Sequence, residues 1–152
     1  MLNEHFPKLK ATVFESVLLN EFLDEKLEGN VIFLETKKEN TVSVFRMLQE
    51  QGVPNLMFKP SVKDFCFFRT QSCVVVTDLV SEAPMKKTDV EEICLEKLIV
   101  DIYCDQLIRQ TYPCERIAAI AKAAQGRYLI DEAKLRRYAK RRGKEQQLLQ
   151  EC

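Results

Sequence analysis

Four consecutive apolar residues, Val31-Ile32-Phe33-Leu34, stand between Gly29-Asn30 and Lys37-Lys38. In a strand, neighbouring side chains point to opposite faces, so an apolar run of this length fits a strand buried on both sides and needs a covering layer on each. The flanking residues supply candidates for those layers. Phe14, Val17, Leu18 and Phe22 recur at helical spacing before Gly29, and Val44, Phe45 and Leu48 do so before Gly52, which predicts two amphipathic helices. Leu56-Met57-Phe58, closed by Pro60, reads as a second short strand. Strand, helix and strand in that order imply a right-handed parallel crossover. Each of the four glycines, Gly29, Gly52, Gly126 and Gly143, follows a predicted helix, where a residue at positive φ closes the last turn.

The middle of the chain changes character. Residues 65–69 and 73–79 are rich in aromatic and β-branched side chains and flank Thr70-Gln71-Ser72, a pattern that predicts a hairpin. Residues 81–88, with Pro84 and two lysines, read as a connection. Beyond it Leu95, Leu98, Ile99 and Ile102 form one helical stripe, and Pro113 opens a second helix carrying Ile117, Ile120, Ala121 and Ala124. Asp131 is placed to cap a third, with Leu135, Tyr138 and Ala139 buried and Lys134, Arg137 and Arg141 on another face. The expected architecture is a single α/β domain over residues 1–152. Its mixed part, residues 12–80, holds a small mixed sheet with an early βαβ unit and a hairpin, packed by helices; residues 89–152 form a three-helix C-terminal segment.

Composition narrows the function classes. At 152 residues and 46% hydrophobic the chain can bury a core, and no apolar run approaches the roughly 20 residues a bilayer-spanning helix needs. The first ten residues lack the apolar stretch of a signal peptide, so a cytoplasmic protein is expected. Cys66, Cys73, Cys94, Cys104, Cys114 and Cys152 contain no CxxC spacing and read as reduced thiols, several of them in the core. His5 is the sole histidine, so neither a metal site nor a His-activated nucleophile is expected. No GxSxG, HExxH, GxxxxGK or GxGxxG pattern occurs, and no cofactor is predicted.

One catalytic pattern does survive. Glu35-Thr36-Lys37 ends the first apolar strand, and alternation places Glu35 and Lys37 on one face. The pair resembles the ExK half of the PD-(D/E)xK nucleases, whose carboxylates hold Mg²⁺ while the lysine assists water, with Glu15 as an added carboxylate. The family's metal-binding aspartate has no counterpart on this strand, and Asp24 would have to serve from a helix. The simpler reading is a solvated strand end, where charges stop a buried strand, or an inactive relic of such a fold.

The net charge of +0 conceals two opposed regions. Residues 1–50 carry more acids than bases, whereas Arg127, Lys134, Arg136, Arg137, Lys140, Arg141, Arg142 and Lys144 crowd the C-terminal helix against only Asp131 and Glu132. Such a run is often just a solvated face. Its density also suits an anionic partner such as nucleic acid, with Tyr128, and less so Tyr138 on the apolar stripe, available for stacking.

Two stretches, Leu95-Glu96-Lys97-Leu98-Ile99-Val100-Asp101 and Leu135-Arg136-Arg137-Tyr138-Ala139-Lys140-Arg141-Arg142-Gly143, resemble the C-terminal domain of AbiEi-type antitoxins. Weaker similarity covers Val13-Phe14-Glu15 through Phe22 and Ser43-Val44-Phe45 through Leu48. The resemblance implies a non-enzymatic domain that counteracts an AbiEii-like nucleotidyltransferase toxin without forming a stable complex with it. In that family the domain follows a winged helix-turn-helix. Here only Met1 to Thr12 precede the first predicted helix, which implies either a domain of a longer protein or a shortened relative. Glu96, Lys97 and Asp101 lie off the Leu95, Leu98, Ile99, Ile102 stripe and are expected on an outer helix face, where an ion pair with the basic helix would tie the last helices together.

Overall fold

The doubly apolar strand is the centre of the molecule. In the computed structural model, which describes residues 11–143 other than 27, 81, 82, 84–89 and 93, it is β2 (Asn30–Thr36). It lies between β1 (Ala11–Glu15) and β4 (Ser72–Asp78) in a five-stranded sheet completed by β3 (Leu56–Phe58) and β5 (Val90–Glu92), in the order β3-β4-β2-β1-β5. β2, β4 and β3 run parallel, β1 is antiparallel to β2, and β5 is parallel to β1.

The crossover predicted between β2 and β3 is present through α1 (Lys38–Glu50), but β4 lies between the two strands. Val44, Met47 and Leu48 of α1 cover one sheet face, packing on Ala11, Leu34 and Val76. The opposite face carries Phe14, Val31, Phe33, Cys73 and Val75. These residues are covered by Phe65 of α2 (Val62–Phe68) and by the helical half of the chain: α3 (Leu95–Cys104), α4 (Cys114–Arg127) and α5 (Glu132–Arg141). The mixed α/β sheet and the three-helix C-terminal segment are therefore both present.

Four local expectations are corrected. The first predicted helix is a strand followed by a 3-10 segment (Ser16–Phe22). Phe14 belongs to β1 and pairs across to Phe33, while Leu19 and Phe22 are the buried apolar residues of the turn; strand pairing overrides a spacing that was helical only by coincidence. The predicted hairpin is a second parallel crossover. Residues 65–68 are helical because Ser61 caps α2, its Oγ accepting from the Asp64 amide at 3.1 Å, and the helix buries Phe65 while leaving Phe67 and Phe68 in solvent. Gly126 lies inside α4, which runs on to Arg127. Leu135, expected in the buried stripe, is only half-buried beside Tyr138 and Ala139. The predicted connection 81–88 lies almost wholly outside the described residues, as does Cys152; Cys66, Cys73, Cys94, Cys104 and Cys114 form no disulfide among the described residues.

Gly29 shows how tightly the sheet is seeded. It has φ +91°, and a Cβ there would lie 2.7 Å from the Gln71 carbonyl oxygen, the acceptor for the Asn30 amide at 2.6 Å. Gly29→Ala combines a left-handed backbone with a clash against another main chain, and should cost roughly 1–3 kcal/mol. Urea denaturation measures this; wild-type stability would mean that the turn before β2 can relax.

Candidate functional site

Strand parity decides where Glu35 goes. Val31, Phe33 and Glu35 share one face of β2, as Thr12 and Phe14 share one face of β1. That face looks into the larger core, so the carboxylate at the end of the row is carried under α3 rather than into solvent. Glu35 is buried at 6% exposure, and the Thr12 hydroxyl donates to its Oε2 at 3.2 Å.

The cation that meets it is Lys97. Lys97 and Asp101 are each 1% exposed, and the Lys97 ammonium lies between the carboxylates of Asp101, one helical turn further on, and Glu35. The remaining Asp101 oxygen, Oδ1, accepts from the Tyr138 hydroxyl of α5 at 2.6 Å. One chain of contacts thus runs from β1 through β2 and α3 to α5. The expectation that Lys97 and Asp101 face outward is overturned because every residue of α3 from Lys97 to Tyr103 is buried, leaving that segment no outer face. The expected tie to the basic helix exists in another form: Asp101 is bonded to a tyrosine hydroxyl, and Glu96 accepts from the Asp131 amide at 2.9 Å.

Two buried carboxylates against one ammonium leave the pair formally under-neutralised. Burial pushes the Glu35 carboxyl above its ordinary value of 4.5; Lys97 pulls it back and Asp101 raises it again. For Lys97, burial alone would favour loss of the proton, but Asp101 and Glu35 outweigh it and hold the ammonium above the usual lysine range. Burial, then the Asp101 charge and hydrogen bond, keep the Tyr138 hydroxyl protonated well above its ordinary range.

The nuclease constellation does not assemble. Glu35 is engaged by Lys97, Lys37 stands exposed at the N-cap of α1 where β2 has ended, and Glu15 lies in β1, not on a helix. Glu15 pairs with Ile32 whereas Thr12 pairs with Glu35, so three residues, about 10 Å of strand, separate the carboxylates. Asp24 is exposed in the loop after the 3-10 turn. At the carboxyl end of β4, where open α/β sheets commonly bind ligands, Asp78 is bonded to Thr41 at 2.6 Å and paired with Lys59 at 2.8 Å. Burial would raise its carboxyl, but these hydrogen bonds outweigh it and hold it below the usual range. Among the described residues no group of three or more His, Cys, Asp or Glu side chains is placed to hold a metal ion.

The basic residues divide. Lys134, Arg136, Arg137, Lys140 and Arg141 are exposed on α5, with Asp131 capping the helix through the Ala133 and Lys134 amides, each at 3.1 Å. Glu132 reaches Arg136 at 3.7 Å, both well exposed. Acid in the first turn and base in the last match the helix dipole. Arg142 does not join this face: it is half-buried, with its guanidinium 5.9 Å from the centre of the Tyr138 ring. Arg127 turns to the 3-10 segment, donating to the Glu21 carbonyl and lying 6.0 Å from the Phe22 ring centre. Lys144 lies outside the described residues. Tyr128 is exposed and bonded to the Glu21 carboxylate; Tyr138, fully buried, offers no surface for stacking.

Buried charge network and exposed cationic helix together define an α/β domain whose polar core is closed and whose concentrated charge is on the surface. The chain belongs to the family of unknown function DUF6577, whose profile matches residues 1–151. Neither a curated protein nor a solved structure matches it. No helix among the described residues is long and apolar enough to cross a membrane.

Proposed function

We propose that this is a non-enzymatic antitoxin effector domain of AbiEi type, acting in the cytoplasm against an AbiEii-like nucleotidyltransferase toxin through the cationic face of α5. The observation that carries the reading is the solvent-exposed set Lys134, Arg136, Arg137, Lys140 and Arg141, for which Glu132 supplies a single exposed carboxylate on the same helix. A surface of this kind recruits polyanions, and nucleic acid is the partner it fits. The two stretches that resemble the antitoxins also meet each other, through the Tyr138–Asp101 hydrogen bond between α5 and α3. That supports treating them as one structural signature rather than two coincidental matches. The nuclease alternative draws less support, because its carboxylates point to separate places and Glu35 is already engaged by Lys97.

Co-expression with an AbiEii-like toxin tests the proposal. The wild-type chain should restore growth, and a variant with Gln at Lys134, Arg137 and Arg141 should restore it less at equal abundance. Absence of protection by the wild type would refute the antitoxin reading. Mg²⁺-dependent cleavage of plasmid or RNA that disappears in Glu35→Ala would replace it with the nuclease.

A further inference from the structure

We infer that Tyr138 and Asp101 are positioning residues for the cationic helix: their hydrogen bond, anchored through Lys97 on Glu35, holds α5 on α3, and without it α5 detaches while the sheet stays folded. That the face so positioned is a binding surface rests on the function proposed above; the docking itself does not.

A ten-residue helix is too short to persist alone in water, so α5 exists because it is docked. Its apolar contribution is small. Tyr138 and Ala139 are its only fully buried residues and Leu135 is half-buried, while its clustered cations repel one another. Polar ties therefore weigh heavily, and among those that reach α3 are the Glu96 carboxylate on the Asp131 amide at the exposed start of the helix, the buried Tyr138–Asp101 bond in its second half, and Arg142 on Cys104 just past its end. The first two both accept on a carboxylate, but the Tyr138–Asp101 bond is the one removed from water, where a hydrogen bond is electrostatically stronger and its loss leaves a buried acceptor unsatisfied.

The hydroxyl is more than a by-product of packing. A phenylalanine ring would fill the same volume and keep Arg142 and Lys97 near its face, where their charges lie 5.9 and 6.0 Å from the ring centre. It would leave Asp101 Oδ1 buried without the donor that now satisfies it. Asp101 cannot swing away to recover one, because its other oxygen is held by Lys97, and Lys97 is held in turn by Glu35 at the end of β2. The orientation of α5 is thus fixed from the sheet outward, through a relay of named atoms.

Amide hydrogen exchange of the whole chain tests this. In Tyr138→Phe the amides of residues 135–141 should exchange roughly tenfold to a hundredfold faster, the factor implied by losing a hydrogen bond to a charged acceptor. Those of residues 31–34 and 74–76 should keep their wild-type rates. Asp101→Asn, which preserves an acceptor for the hydroxyl and leaves Lys97 its Glu35 partner, should retain protection of α5; Asp101→Leu should lose it. Uniform acceleration across sheet and helix in Tyr138→Phe, or an unchanged α5 in both Tyr138→Phe and Asp101→Leu, would overturn the inference. Selective loosening in Tyr138→Phe, together with a wild-type chain that binds no labelled duplex DNA or single-stranded RNA, would remove the binding reading and leave the positioning in place.

Discussion

Lys97→Met should destabilise the protein by about 3–5 kcal/mol at pH 8, the range seen when one partner of a buried ion pair is removed. Against a typical domain stability of about 5–15 kcal/mol, that approaches the whole margin. Methionine matches the lysine stem in length, so little cavity forms and the loss is electrostatic: Glu35 and Asp101 would face each other, buried, without the ammonium between them. The penalty should depend on pH in a definite direction. Glu35 already sits above its ordinary 4.5 in the folded protein, and removing Lys97 raises it further. The native variant therefore binds more protons than its unfolded chain between that ordinary value and the raised one, and its stability falls as pH rises through the raised value. Urea denaturation at pH 5 and pH 8 should show the gap to wild type widest at pH 8. A gap that widens on acidification, or a loss under about 1 kcal/mol at pH 8, would mean the network is hydrated and far weaker than its burial indicates.

Glu35→Gln makes the complementary case. It leaves Lys97 paired with Asp101 and removes the carboxylate that burial and Asp101 both disfavour, so the cluster becomes formally neutral. Stability at pH 7 should stay within about 1 kcal/mol of wild type, and the loss of stability that Glu35 causes as pH rises from its ordinary 4.5 toward its raised value should disappear. The two substitutions touch the same atoms with opposite consequences, which separates charge balance from packing as the origin of the effect.

How far this arrangement could be read from the sequence depends on the length scale of the signal. β2, β3, α1, α3, α4 and α5 were legible because each has its own pattern, and Asp131 marked the start of α5 as a cap should. β1 was misread because Phe14, Val17, Leu18 and Phe22 fit a helix while Phe14 is claimed by a partner strand, which only the folded chain supplies. α2 was misread because its aromatics resemble a strand; Ser61 with Asp64 three residues later was the capping signal that favoured a helix. The charge network was half-visible. Lys97 and Asp101 at i,i+4 and Glu35 in step with Val31 and Phe33 were in plain view, but charged residues are rarely buried, and only the meeting of β2 with α3 shows that Lys97 is shared between the two carboxylates. The exposed basic row needed no such meeting, since Lys134, Arg137 and Arg141 fall on the side of α5 away from the buried Tyr138 and Ala139, and a charged face so placed stays in solvent.

That row carries the prediction with the largest effect on binding. Lys134, Arg137 and Arg141 recur at i, i+3 and i+7, so they line one side of α5 within about 11 Å of helix length, a span that reaches successive phosphates of a nucleic-acid strand. If each contacts one phosphate of duplex DNA, together they contribute about −2.7 to the slope of log affinity against log salt. A fourfold rise in salt should then weaken wild-type binding about 40-fold through these contacts alone. Changing all three to Gln should make the slope shallower by that same amount, with helix content retained and folding stability within about 1 kcal/mol of wild type, since exposed charges contribute little to folding. Tyr138→Phe should behave differently: every cation remains but the row is no longer held in line, so affinity falls while much of the salt dependence survives. Fluorescence anisotropy across a salt series distinguishes the two. If the triple variant keeps both affinity and slope, α5 carries only a solvated basic face, and the partner of this domain has to be sought elsewhere on its surface.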